Sequence, residues 1–170
     1  MAPNPPLTVR LYVRADAYIV KRRNDLIGRL KRLDRQNRID GVHIHLWPQA
    51  VSLDLLEMSD NLELREAVRS FEAWAERNDR ELNGVFDRKE VSSSITDTDH
   101  VCRIAPVLAL AEYEDAALRF VTPSSGADGQ VSVLDRLAEL EGRAELTPAE
   151  PLPGVREETS SHRSSPVAPN

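Results

Sequence analysis

The stretch from Leu7 to Arg14 alternates strictly between apolar and polar residues, and this alternation limits the folds that the chain can adopt. Leucine and valine occupy every odd position, while threonine, arginine and tyrosine occupy the even ones. A period of two residues is typical of a strand that buries one face and exposes the other. We therefore predict a half-buried strand near the start of the chain.

A helical pattern follows this strand. Leucine and isoleucine recur at three- and four-residue intervals between positions 26 and 33, which places them on one face of a helix. Asn24 is a residue type that commonly caps a helix start, and the Asp40-Gly41 pair favours an exit turn. The sequence thus predicts a first helix from Asn24 to Asn37.

Residues 42–47 alternate again. Valine, isoleucine and leucine stand at the even positions, two histidines and a tryptophan stand at the odd ones, and Pro48 ends the run. This second strand completes a strand–helix–strand unit, and more strands and helices follow it. We predict an α+β fold with a mixed or antiparallel sheet, helices on one face, and a ferredoxin-like (split βαβ) arrangement in its first part.

Two further helices are predicted from the same periodicity. The first opens near Ser59 to Asn61, separates its apolar and charged faces cleanly, and breaks at Asn78-Asp79. The second has Ser132 as its cap and ends at Gly142. Both helices are expected to pack an apolar stripe against the sheet.

Shorter patterns indicate the strands of the second half. Leu82 to Ile95 indicates one weak strand, with the serines at 92–94 as a loop. The apolar run from Val101 to Tyr113 predicts one long central strand that Pro106 bulges or kinks. The remaining predicted segments are a turn at Glu114-Asp115, a hairpin partner at Leu118–Thr122 and a loop at Pro123–Gly129.

These elements define one domain. We predict a flexible amino terminus at residues 1–5, a single α+β domain at 6–142 and a disordered tail at 143–170. The tail is rich in Pro, Glu, Ser and Thr and has few large apolar side chains that could offset the entropy of ordering. The core of the domain is expected to contain Val9, Leu11, Val13, Leu30, Ile44, Leu46, Val68, Phe71, Leu108, Leu110, Phe120 and Leu137.

The composition argues against several classes of protein. The longest apolar run, Ile104 to Ala111, has eight residues, whereas a transmembrane helix needs roughly 18 to 20. The first residues lack the basic and apolar regions of a secretory signal, so we expect a cytoplasmic protein. Cys102 is the single cysteine, which excludes a disulfide within the chain.

One face of the second strand carries side chains that are candidates for binding a metal ion or a partner. His43 and His45 stand about 6 to 7 Å apart along the strand, a spacing that can chelate one metal ion. A site needs three or four ligands, and His100 and Cys102 could supply more only if their strand pairs beside the second. We predict no metal site and take His43, His45 and Trp47 as a candidate interaction face.

Cys102 beside His100 is also a candidate nucleophile with a base. A catalytic thiol needs an orienting third group and an accessible cleft, and the sequence indicates neither. A lone cysteine at the start of an apolar strand is more often a small core residue. We predict no enzymatic activity and no bound cofactor.

Basic residues concentrate at the amino end. The first 40 residues carry a charge of +6 and the remainder −12, which together give the net charge of −6. A basic helix can contact the phosphates of nucleic acid, although a solvated helix face is the simpler explanation. The candidate nucleic-acid contacts are Lys21, Arg22, Arg23, Arg29, Arg32 and Arg35.

Arginine and acidic residues dominate the charged side chains. The chain has 19 arginines, three lysines and 28 acidic residues. An acidic, lysine-poor surface suits a salt-rich cytoplasm, because molar salt shortens the screening length to about 3 Å and weakens the repulsion between carboxylates. A GC-rich genome would also raise the arginine content, so both explanations stay open.

Four phrases of the sequence resemble a known family. They are Val9-Arg-Leu-Tyr-Val-Arg14, Asp40-Gly-Val-His-Ile-His-Leu-Trp-Pro48, Leu108-Ala-Leu-Ala-Glu-Tyr-Glu114 and Val133-Leu-Asp-Arg-Leu-Ala-Glu-Leu140. Across residues 7–142 the chain resembles a family of small haloarchaeal proteins known as helix-turn-helix domain proteins. The resemblance implies the cytoplasm of a halophilic archaeon and a regulatory role, and it brings no catalytic residues.

The sequence leaves two classes of function open. The first is a non-enzymatic regulatory protein of a halophilic archaeon that acts on DNA or another nucleic acid through the basic helix. The alternative is a module that binds another protein or a small ligand through the sheet face of His43, His45 and Trp47. No membrane partner is expected, and the pattern does not indicate an oligomeric state.

Overall fold

The computed structural model describes residues 6–16, 18–52, 62–82, 86–94 and 98–146. Its helices accompany a sheet that contains both parallel and antiparallel strands, which confirms the predicted α+β class. The elements are β1 Leu7–Arg14, α1 Val20–Arg35, β2 Gly41–Trp47, β3 Ala50–Ser52, α2 Leu62–Arg77, β4 Arg88–Ser93, β5 Thr98–Ile104, β6 Leu108–Glu114, β7 Ala117–Thr122, β8 Ser124–Gly126, β9 Gly129–Val131 and α3 Val133–Leu146.

The main sheet has four strands in the order β2-β1-β6-β7. The β1 and β2 strands run parallel and are joined by α1, whereas β6 runs antiparallel to both β1 and β7. The sheet is therefore mixed, as predicted. The predicted split βαβ arrangement was wrong, because β1 and β2 are direct neighbours with no strand between them. The other described strands form a three-stranded sheet, in the order β3-β5-β4, and the small β8–β9 hairpin.

Helices cover both faces of the main sheet. On one face, Leu11 of β1 packs in a cluster with Leu30 of α1 and Leu137 of α3. On the other face, Tyr12 and Trp47 pack in a cluster with residues of α2. The α1 and α3 helices follow the prediction of helices on one face, and α2 adds a second layer. It does so because these two large aromatic residues need an apolar cover on that face.

The predicted core is largely confirmed, with one correction at β2. Most of the predicted residues are buried, and Leu108 and Phe120 are partly buried against the two clusters. Ile44 and Leu46, however, are 41% and 60% exposed. Their prediction as core residues was wrong because β2 is an edge strand, so its α1 face is only partly covered.

The first helix begins earlier than predicted. It starts at Val20 rather than at Asn24, since the N–H of Arg23 already donates to the carbonyl of Ile19 at 2.8 Å. It ends near the predicted position, where Asn37 takes a positive φ of 53°. The predicted start of the second helix, Ser59 to Asn61, lies outside the described residues.

The predicted long strand from Val101 to Tyr113 is two strands in different sheets. The β5 strand ends at Ile104, β6 begins at Leu108, and Pro106 lies between them. Proline lacks the N–H that a central strand requires, so the chain leaves one sheet there and enters the other. The carbonyl of Pro106 accepts a hydrogen bond from Trp47 Nε1 at 3.0 Å, which fixes the crossing point.

Several shorter predictions are confirmed or refined. The break at Asn78-Asp79 and the hairpin partner β7 are confirmed. Ser92 and Ser93 belong to β4 rather than to a loop, because they pair with β5. The predicted loop before α3 contains the β8–β9 hairpin, and α3 continues beyond Gly142 to Leu146. Residues 1–5 and 147–170 lie outside the described residues.

Candidate nucleic-acid interface

The α1 helix places a basic face in solvent. Its leucines at 26, 30 and 33 are buried against the sheet, which orients the opposite side of the helix outward. That outer side has few acids: Asp25 is its one exposed carboxylate. The exposed cations of α1 are Lys21, Arg22, Lys31, Arg32 and Arg35.

The predicted contact residues divide into two groups. Lys21, Arg22, Arg32 and Arg35 are exposed, whereas Arg23 and Arg29 are half-buried. Lys31 was not among the predicted contacts, although its position four residues before Arg35 already indicated the same side of the helix. We define the basic face of α1 as its five exposed cations.

Arg29 differs from the other predicted contacts because it is already paired. Its Nε and Nη2 atoms donate to the carboxylate of Glu141 in α3 at 2.8 and 2.6 Å. These bonds raise the pKa of the Arg29 guanidinium and lower the pKa of the Glu141 carboxyl. The side chain of Arg29 therefore ties α1 to α3 and is not free to bind a phosphate.

The first turn of α1 has an unfavourable charge for an isolated helix. Its N-cap residue, Ile19, makes no side-chain capping bond, and the turn contains no acidic residue. It contains Lys21, Arg22 and Arg23 instead. The amino end of a helix carries a partial positive charge, so cations there destabilise it and a bound anion would stabilise it. This end of α1 is electrostatically suited to a phosphate.

Gly28 lies in the middle of α1 on its exposed side. A Cβ atom at this position would meet nothing within 4 Å, so the fold does not require a glycine here. Glycine in a helix interior costs about 1 kcal/mol relative to alanine. Its effect on the surface is to leave the helix backbone accessible between the flanking cations.

A groove beside α1 has a mixed charge. It encloses about 830 Å³ and is lined by Asp25, Arg29, Arg32, Leu33, Gln36, Arg38 and Glu141. Three arginines face two carboxylates there, and the pair between Arg29 and Glu141 neutralises part of that charge. The groove is thus less suited to an anion than the outer face.

The candidate interaction face on β2 lies under α2. Trp47 is 1% exposed, and its ring stacks on Tyr12 at a centroid distance of 5.0 Å. His45 stacks on the same tyrosine, and its Nδ1 atom lies 3.8 Å from Glu63 of α2. Only His43 of the three predicted residues is exposed. Trp47 therefore belongs to the core and cannot anchor a partner.

Burial also determines the protonation states of His45 and Tyr12. It lowers the pKa of His45, and the positive charge of Arg10 acts in the same direction, while Glu63 opposes it. Burial raises the pKa of the Tyr12 hydroxyl. Both side chains are therefore neutral near pH 7. They act as packing groups rather than as charged ligands.

The possible metal site is not assembled in the described part of the chain. No group of three histidine, cysteine or acidic side chains there could hold a metal ion. The strand that contains Cys102 is β5, which pairs with β3 and β4 and not with β2. The condition under which Cys102 could join His43 and His45 is therefore not met.

The fold and the surface together define a small α+β domain with an exposed basic helix. The chain belongs to the Helix-turn-helix domain family, whose profile matches residues 1–145. No curated protein and no solved structure matches the chain.

The order of the elements bears on the family description. Within the described ranges, strands separate α1 from α2 and α2 from α3. No helix in those ranges combines the length and apolarity that a membrane crossing needs.

Proposed function

We propose that this protein is a non-enzymatic regulator that binds nucleic acid through the basic face of α1. The observation that carries the proposal is the first turn of α1, where Lys21, Arg22 and Arg23 stand at the positive end of the helix dipole without an acidic residue. Such a turn is stabilised by a phosphate and destabilised without one. Membership of the Helix-turn-helix domain family supports the same function.

The dimensions of α1 suit a duplex. Its 16 residues span about 24 Å at 1.5 Å per residue, and the major groove of B-DNA is about 12 Å wide, enough to admit a helix. Lysine and arginine along its exposed side would contact phosphates, which gives affinity without sequence preference. Gly28 would allow the backbone of α1 to approach the duplex closely.

The proposal includes the environment that the composition favours. In the cytoplasm of a halophilic archaeon, high salt weakens each phosphate contact because the release of counterions on binding becomes less favourable. Five exposed cations would then give modest affinity. Binding assays should therefore begin in dilute buffer, where the electrostatic contribution is largest.

The test compares two variants with the same change of charge. The first, Lys21→Ala/Arg32→Ala/Arg35→Ala, removes three cations from the basic face of α1. The matched control, Arg77→Ala/Arg88→Ala/Lys89→Ala, removes three exposed cations from α2 and β4. Arg29 is left intact because its removal would leave Glu141 without its partner.

Affinity for labelled duplex and single-stranded DNA would be measured by fluorescence anisotropy in dilute buffer. We expect the α1 variant to bind roughly tenfold or more weakly than the wild type, and the control to bind like the wild type. Equal affinity for all three proteins, or no binding by the wild type, would rule out α1 as a nucleic-acid interface.

A further inference from the structure

The β2 strand leaves an apolar strip uncovered at one edge of the main sheet. It is the first strand in the order β2-β1-β6-β7 and pairs with β1 on one side. Ile44 and Leu46 point to the α1 face and are 41% and 60% exposed. Because these two side chains are neighbours on the same face, they form an exposed apolar patch, which is more informative than a single exposed leucine.

The sequence of β2 lacks two of the features that commonly protect a sheet edge. Residues 41–47 contain no charged residue and no proline, and either would discourage pairing with another strand. The opposite edge, β7, is protected. Its Arg119 is a charged residue whose carbonyl accepts a hydrogen bond from Trp74 Nε1 at 2.9 Å. The two edges of the main sheet therefore differ, and β2 is the edge more open to pairing with another strand.

Two more exposed apolar residues extend the strip. Tyr18 is fully exposed and Val20 is more than half exposed. Tyr18 precedes α1 and Val20 begins it, at the end of the sheet where Leu46 lies. Val20 and Ile27 lie on the flank of α1 opposite Arg29, which contacts α3. This flank therefore points toward the β2 edge.

We propose that β2 pairs antiparallel with β2 of a second copy of this chain, about a twofold axis beside Ile44. In this register Ile44 stands opposite Ile44 of the partner subunit, and Val42 stands opposite Leu46 of the partner subunit. The apolar residues therefore meet on one face. The two histidines meet on the other face, with His43 opposite His45 of the partner subunit.

A second copy fits this strip better than an unlike partner. The strand is self-complementary about its centre, which is the requirement of a twofold interface. It is also uncharged, so two chains of net charge −6 can approach there with little local repulsion. The pairing would join two four-stranded sheets into one of eight strands.

The twofold arrangement also determines the relative positions of the two α1 helices. Antiparallel pairing of identical edges requires an axis perpendicular to the sheet, which keeps the same face of both copies on the same side. The two α1 helices would lie side by side, with the flanks of Val20 and Ile27 in contact. Their basic faces would both point away from the sheet in the same direction.

The test measures molar mass by sedimentation equilibrium of the full chain, without nucleic acid, so its outcome is independent of the proposed function. We expect the wild type to approach twice its 19.0 kDa mass as concentration rises. Ile44→Lys should stay at the single-chain mass, with an unchanged circular dichroism spectrum, because Ile44 is already exposed. The control Leu134→Lys, which alters an exposed leucine of α3, should associate like the wild type.

A charge-swap experiment tests the register. Chains with Ile44→Lys and Ile44→Glu should each stay single but form a one-to-one dimer when mixed, because the two substituted positions face each other. A wild type of single-chain mass at all concentrations would overturn the proposal. Association that survives Ile44→Lys, or a mixture that fails to associate, would also overturn it.

Discussion

Glu112 of β6 and Arg136 of α3 form a bidentate ion pair inside the domain. Arg136 Nη2 lies 2.8 Å from Glu112 Oε2, and Arg136 Nε bonds the other carboxylate oxygen. Arg136 also donates to Glu139 and lies over the ring of Phe120. Burial opposes its charge, but these bonds outweigh it and raise the pKa of Arg136. The pair fixes α3 on the sheet.

Removing one partner of this pair should destabilise the protein strongly. In Arg136→Met the Glu112 carboxylate would stay buried without its cation, and we expect a decrease of about 3–5 kcal/mol in the free energy of unfolding. The double variant Glu112→Leu/Arg136→Met buries no charge and should recover much of that stability. Urea denaturation measures both, and equal decreases in the single and double variants would contradict the coupling.

The turn between β6 and β7 should be improved by a glycine. Asp115 and Ala116 have positive φ values of 48° and 64°, a conformation that aspartate tolerates but that is unfavourable for alanine. Ala116→Gly should raise the free energy of unfolding by up to about 1 kcal/mol, since the gain exceeds the added entropy of the unfolded chain. Thermal denaturation measures the change. The control is Ala127→Gly in the β8–β9 turn, where φ is not positive, and this variant should not be more stable than the wild type.

The protein should lose stability in mild acid through His45. Burial lowers its pKa, so the unfolded chain binds this proton more readily than the folded chain. The stability that neutral His45 provides is therefore complete above its ordinary pKa of 6.5, and it is lost as the pH falls through the lowered pKa. His45→Phe keeps the ring stacked on Tyr12 and should reduce the slope of stability against pH in this range.

Glu63 provides an independent check on the same group. Its carboxylate raises the pKa of His45 and partly offsets burial. Glu63→Gln should therefore lower the pKa of His45 further and steepen the decline of stability in acid. NMR titration of the His45 ring measures this pKa directly, and a pKa that rises in Glu63→Gln would contradict the placement of Glu63 beside His45.

Substitutions at two helix glycines can distinguish effects on stability from effects on DNA binding. A Cβ at Gly28 of α1 or Gly142 of α3 meets nothing within 4 Å, so alanine at either position should add about 1 kcal/mol to the free energy of unfolding. A glutamate substitution should have different effects on DNA binding at the two positions. Gly28→Glu places a carboxylate on the basic face and should weaken DNA binding, whereas Gly142→Glu should not. Equal effects on binding would argue against the basic face.

Much of the fold could be predicted from local periodicity. The alternation of residues in β1 and the spacing of the buried leucines in α1 each reflect a single buried face, so both elements can be predicted from the sequence alone. The second layer was missed because Tyr12 and Trp47 stand at positions that also fit a solvent-facing side. Aromatic residues that repeat on the polar face of neighbouring strands are the signal that could have indicated α2 there.

The misassigned residues depended on long-range pairing. The exposure of Ile44 follows from the position of β2 at the sheet edge, and strand order is not encoded in local pattern. The pairing of Arg29 depends on Glu141, which lies 112 residues away in the sequence. Such pairings could not be derived from charge spacing alone, because they form only when distant segments fold together.

The salt dependence of DNA binding tests the role of α1 most directly. Log affinity should fall linearly with log salt concentration for the wild type. The slope should be shallower by up to about 0.9 for each phosphate that Lys21→Ala/Arg32→Ala/Arg35→Ala no longer neutralises. The control Arg77→Ala/Arg88→Ala/Lys89→Ala should keep the wild-type slope. A slope that is the same in all three proteins would show that α1 does not bind the phosphates.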